Sequence, residues 1–149
     1  MAPTLRVYRR SYTPISKPVT EIVGAARALH ATDAVDDCTV TEWPNTVALE
    51  TDCEPVRVYD AARDWSERTD VDATTPFRVH TRTDPGSGRD QAILHTPVVY
   101  LLLDRDDDVA GAAPCTLPDG THLTARDFLD AIQDGENPFD DTTPHALFA

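Results

Sequence analysis

The stretch Pro97-Val98-Val99-Tyr100-Leu101-Leu102-Leu103 constrains this chain more than any other. An apolar run of this length, rich in Val and Leu and bounded by turn signals, is a strand buried on both faces. Such a strand demands a layer above it and a layer below. Asp104 to Asp108 form a solvated tip, and Val109 to Ala113 return as the second strand of a hairpin. After a loop marked by proline and glycine, Thr124 with Asp127 three residues on reads as a capping-box-like helix start. Phe128, Leu129 and Ile132 then share one apolar face. The second half of the chain is therefore proline, strand, strand, helix.

That order directs the reading of the first half. Leu5 to Arg10 is a short strand, and Pro14 and Pro18 mark a turn into a helix with Ser16 as N-cap. Val19, Ile22, Val23, Ala26 and Leu29 recur at three- and four-residue spacing, which predicts an amphipathic helix to about His30. Cys38 to Trp43 reads as a second strand stopped by Pro44, and Thr46 to Leu49 is a short apolar run of either type. The next helix follows Glu54-Pro55, with Val58, Ala61, Ala62 and Trp65 on its inner face. In Phe77-Arg78-Val79-His80-Thr81-Arg82, alternation places Arg78, His80 and Arg82 on one face of an extended segment. Asp84 to Gly88 is a flexible loop. Residues 1–134 form one domain, and 135–149 are a loose tail in which Phe139, Leu147 and Phe148 can dock.

Composition enters at two points. The length of 149 residues and the 40% apolar content support one real core. The net charge of −13 comes from 26 acidic residues, mostly Asp, against 12 Arg and the single Lys17. Short carboxylates hold water and lysine's long stem is avoided, the balance expected of a cytoplasmic protein in molar salt, where charges are screened within about 3 Å. In that reading acidity describes the solvent, so it neither excludes nor supports a nucleic-acid partner, which would need a basic patch. No segment has the apolar length of a membrane span and no secretory leader is read at the start. Three cysteines without a CxxC pair do not make a disulfide framework.

Strand, helix, strand, helix, then a proline-led hairpin and a helix is the order of the thioredoxin fold. Thr96-Pro97-Val98-Val99-Tyr100-Leu101-Leu102 resembles the segment in which thioredoxins place a cis-proline before their third core strand. Val7-Tyr8-Arg9-Arg10-Ser11-Tyr12-Thr13-Pro14-Ile15-Ser16 resembles the glutaredoxin entry, with the four-residue redox site falling on Thr13-Pro14-Ile15-Ser16. The resemblance implies an α/β, thioredoxin-like fold in which a mixed four-stranded sheet is flanked by three helices. Thr13 and Ser16 are hydroxyls where dithiol chemistry needs a thiolate, so redox catalysis is not expected, nor a cofactor. The expected function is a redox-inactive, non-enzymatic module that binds a protein or peptide through Tyr12, Thr13, Pro14, Ile15, Ser16, Thr96 and Pro97. Free N–H groups at the helix start and the backbone beside Pro97 would hold the ligand.

A second resemblance spans the whole chain. Val7 to Ser11, Thr39-Val40 with Trp43-Pro44, Tyr59-Asp60 with Trp65, Thr96-Pro97 and Ala113-Pro114-Cys115 are similar to small haloarchaeal proteins labelled "HTH domain". That label implies a transcription-associated or DNA-binding role, although no pair of short helices with a basic face is evident. Arg78, His80 and Arg82, beside Arg6 and Arg10, are a candidate anion-binding stripe; the bland alternative pairs each Arg with one of the many Asp. Cys115 and Cys38 are candidates for a lone reactive thiol in a redox or sensor protein, against inert buried cysteines. His80, His95, His122 and Cys115 show no ligand spacing, so no metal is expected. Asp104 to Asp108 lacks the spacing of a calcium loop.

Overall fold

The computed structural model describes residues 3–11, 17–106, 108–135 and 139. Strand β1 (Thr4–Arg10) leads to helix α1 (Lys17–Ala31) and then to strand β2 (Asp37–Trp43). The short β3 (Thr46–Ala48) precedes α2 (Glu54–Thr69), followed by β4 (Arg78–Thr83) and β5 (Asp90–His95). The predicted hairpin is β6 (Val99–Arg105) and β7 (Asp108–Ala113), turned at Asp106 with φ 55°. A two-residue ladder, β8 (Cys115–Thr116) with β9 (His122–Leu123), leads to α3 (Ala125–Gln133).

The main sheet has the order β2-β1-β6-β7. β1 and β2 run parallel, joined across α1, while β6 is antiparallel to both β1 and β7. Register then sorts the core. Leu5 faces Leu103 and Val7 faces Leu101, and α1 and α3 lie together on that side. Ile22, Ala26 and Leu29 of α1 and Phe128 and Leu129 of α3 are buried there. Each large apolar side chain of this kind contributes about 1.5–3 kcal/mol when fully buried. Thr124 caps α3 as expected: its hydroxyl accepts from the Asp127 N–H at 3.1 Å, and the Asp127 carboxylate accepts from the Thr124 N–H at 3.2 Å.

The opposite face is aromatic. Tyr8 stacks on Trp43 with ring centroids 4.7 Å apart, and Phe77 meets Tyr100 edge-on at 4.8 Å. The Tyr8 hydroxyl donates to the Glu54 carboxylate at the start of α2 (2.9 Å), and the Tyr100 hydroxyl to the Ala73 carbonyl (2.7 Å). This is an α/β fold with three helices and a mixed four-stranded sheet. Every strand and helix expected of that core is present.

Two features differ from expectation. A second sheet of order β3-β5-β4 is present, although Asp90 to His95 carries no clean strand alternation. And among the described residues the cis peptide is Ala113–Pro114; the Thr96–Pro97 bond is not cis. Thr96 is nevertheless important as a joint between the sheets. Fully buried, it donates its hydroxyl to the Pro44 carbonyl (2.7 Å) and its N–H to the Asn45 carbonyl (3.0 Å). Its own carbonyl accepts from the Arg10 guanidinium at Nε (2.9 Å) and Nη2. The links β2–β3 and β5–β6 are thus pinned to each other and to β1.

Phe139 is buried, edge-on to Trp65 at 4.9 Å and beside Phe128 at 5.6 Å. Gly111 makes room for it: a Cβ there would lie 2.7 Å from Phe139 and 3.0 Å from Phe128. Gly111→Ala should therefore cost about 1–3 kcal/mol through overpacking. Denaturant unfolding reads this directly, and an unchanged midpoint would mean that Phe139 is not held against β7.

Candidate functional site

β4 and β5 form an antiparallel ribbon whose turn is built by Asp84. Its Oδ1 accepts from the Gly86 N–H (3.0 Å) and its Oδ2 from the Ser87 hydroxyl (2.9 Å). In the register of the ribbon Arg78 opposes His95, His80 opposes Ile93 and Arg82 opposes Gln91. One face therefore carries Arg78, His80, Arg82, Gln91, Ile93 and His95, extended across β3 by Thr46 and Ala48. All six residues of β4 are exposed. The other face puts Leu94 into the core and pairs the Thr83 hydroxyl with Asp90 at 2.7 Å.

The predicted trio Arg78, His80 and Arg82 is thus brought onto one face. Arg10 joins it at the base, held through the Thr96 carbonyl next to His95. Arg6 does not. It turns to Asp104 at 2.6 Å and to the Tyr8 hydroxyl at 3.1 Å, on the main sheet. Among the described residues, Arg10, Arg78 and Arg82, like Arg27, Arg68, Arg89 and Arg105, have no carboxylate within ion-pair distance, whereas Arg6, Arg9, Arg57, Arg63 and Arg126 each do. The expectation that Asp would neutralise the stripe fails for those three. What sets Arg10, Arg78 and Arg82 apart is that they gather at one ribbon in a chain of net charge −13.

His95 was not expected here. The ring nitrogens His80 Nδ1 and His95 Nε2 are 2.6 Å apart, with ring centroids at 4.5 Å. Partial desolvation, then His80, Arg78 and Arg10, holds the His95 imidazole below its usual 6.5. Cross-strand register would have revealed it. Once the Asp84–Gly88 loop is read as a hairpin turn, His95 falls opposite Arg78.

The peptide-binding positions are placed only in part. Tyr12, Thr13, Pro14, Ile15 and Ser16 lie outside the described residues. At the other side of that expected groove, Thr96 is engaged as above, the Pro97 carbonyl accepts from the Trp43 indole N–H (3.1 Å), and the Val98 carbonyl from the Arg10 N–H (3.0 Å). Of the cysteines, burial and nearby Asp72 push the Cys115 thiol up to about 12, and burial raises Cys38. Both are thiols near neutral pH. Among the described residues there is no cluster of three His, Cys, Asp or Glu that could hold a metal, and no helix long and apolar enough to cross a membrane.

A helix-turn-helix domain family model matches residues 2–137. The chain belongs to this family. No curated protein and no solved structure gives a match. The family match agrees with the resemblance to proteins labelled "HTH domain" and not with a thioredoxin site. Yet among the described residues this helix-turn-helix family member has no two helices joined by a short turn. β2 and β3 intervene between α1 and α2, and six strands between α2 and α3.

Proposed function

We propose that this protein is transcription-associated and contacts nucleic acid through the cationic face of the β4–β5 ribbon. The observation that carries the reading is the gathering at one ribbon of Arg10, Arg78 and Arg82, three of the seven arginines without an ion pair among the described residues of a strongly acidic chain. Family membership supports the class of partner. A two-stranded ribbon is an element that the major groove of DNA admits, and a helix pair is not required for that. Along β4 the face offers two guanidinium groups, Arg78 and Arg82, four residues and about 13 Å apart with His80 between them, suited to backbone phosphates. No base-reading residue is assigned.

Titrating a fluorescein-labelled DNA duplex with the full chain over a series of KCl concentrations tests this. Binding should weaken linearly in log–log form, with a slope of about −0.9 for each phosphate contacted. No binding even at the lowest salt that keeps the protein folded would overturn the reading.

Protein or peptide binding by a thioredoxin-like module remains a second proposal, favoured by the exposed Val98 beside Pro97. It has less support, since the carbonyls of Thr96, Pro97 and Val98 are committed within the chain. Capture of a defined partner that is lost on a bulky substitution of Val98 would favour it. Capture that is unaffected would remove it.

A further inference from the structure

We propose that His80 and His95 are the point at which the ribbon receives a phosphate group, and that the bond between the two rings opens as the phosphate arrives and both rings become protonated. The inference deepens the nucleic-acid reading and rests on it for the source of the phosphate. A separation of 2.6 Å between Nδ1 of His80 and Nε2 of His95 leaves room for one N–H between two ring nitrogens. One nitrogen donates and the other accepts. When both rings are protonated every ring nitrogen is a donor, and that bond cannot exist.

The surroundings decide what replaces it. His95 is flanked by Arg78 of β4 on one side and Thr46 of β3 on the other, with Arg10 of β1 at its base. His80 is flanked by Ile93 and shares its face with Arg78 and Arg82. Among the described residues no carboxylate is bonded to either ring; Asp84, two residues beyond Arg82 and interacting with it, is turned to the Gly86 N–H and the Ser87 hydroxyl. Glu42 is bound to Arg9 at 2.7 Å, and Glu50 reaches only Gln91, at 3.3 Å and opposite Arg82. With no carboxylate bound to either ring, protonating both of them meets repulsion, in line with the lowered His95 value. A phosphate reverses the balance. Its oxygens accept an N–H from each ring, and its charge offsets the added one. Anion binding and proton uptake are then linked, so affinity rises as pH falls through the titration range of the pair.

The test uses the full chain in two arms. In the first, a labelled duplex is titrated at pH 7.5 and at pH 5.5 in the same KCl, with circular dichroism confirming the fold. Binding should be about tenfold tighter at pH 5.5, and the ratio of the two affinities should fall to about one in His95→Gln and in His80→Gln. In the second arm, the two histidine rings are titrated by NMR with and without inorganic phosphate, which should raise both midpoints. Equal duplex affinity at the two pH values, or a pH dependence that survives His95→Gln, overturns the inference and leaves the nucleic-acid reading standing. If no duplex binds at either pH, that reading falls. The NMR arm then decides: raised midpoints identify a site for free phosphate, and unmoved ones overturn the inference as well.

Discussion

Replacing Trp43 by alanine should destabilise the protein by about 3–5 kcal/mol, the range for truncating a large buried aromatic. Trp43 is 2% exposed and lies at the centre of the aromatic layer, stacked on Tyr8, 6.4 Å from Tyr100 and edge-on to Phe77 at 5.9 Å. Truncation also leaves the Pro97 carbonyl without the indole N–H, worth about another 1 kcal/mol. Trp43→Phe separates the two contributions, since it keeps a ring for Tyr8 and removes only the donor and some volume. Urea unfolding at fixed KCl measures both variants. A loss below about 1 kcal/mol for the alanine variant would mean that the layer repacks and does not organise the fold.

The second large effect concerns the ribbon. Arg78→Ser with Arg82→Ser should weaken duplex binding on the order of 100-fold at low salt, taking about 1.5 kcal/mol for each charge-assisted hydrogen bond to phosphate that the double variant can no longer make. The weakening should be the same for unrelated sequences, and the salt slope should fall by about two, because groups that hold phosphate position the protein without reading bases. Both side chains are exposed and have no intramolecular ion partner among the described residues. Stability should therefore change by no more than about 0.5 kcal/mol. Unchanged binding would move the interface elsewhere on the molecule. Arg57→Ser on α2 serves as the control: Arg57 already pairs with Asp52 at 2.7 Å, so its removal should leave binding nearly intact.

Much of the architecture was legible. The buried strand at Val99 to Leu103, the apolar spacing of α1 and the capping box at Thr124 are local signals, and local signals need no knowledge of partners. The second sheet was not legible for the converse reason. In β5 the only deeply buried residues are the adjacent Ile93 and Leu94, which break period-two alternation, and β4 has no buried residue at all. Its pairing is set by Leu94 in the core and by the Thr96 joint, both long-range features. The face itself followed from alternation in Arg78, His80 and Arg82. Arg6 was misplaced onto it because β1 alternation puts Arg6 and Arg10 on one side. Which partner each meets depends on long-range pairing: in the β1–β6 register Asp104 stands opposite Thr4 and within reach of Arg6, whereas Arg10 reaches the Thr96 carbonyl.

The position of β4 at the rim of its sheet has a consequence for how copies of this molecule treat one another. A strand with one side unpaired is a template on which an identical strand can add, and such rims invite fibres and tangled dimers. Antiparallel addition of a second β4 about His80 would set Arg78 of each copy against Arg82 of the other, and His80 against His80. Like charges directly opposite destabilise a ladder. The arginines proposed to meet phosphate would therefore also keep the rim closed to its own kind.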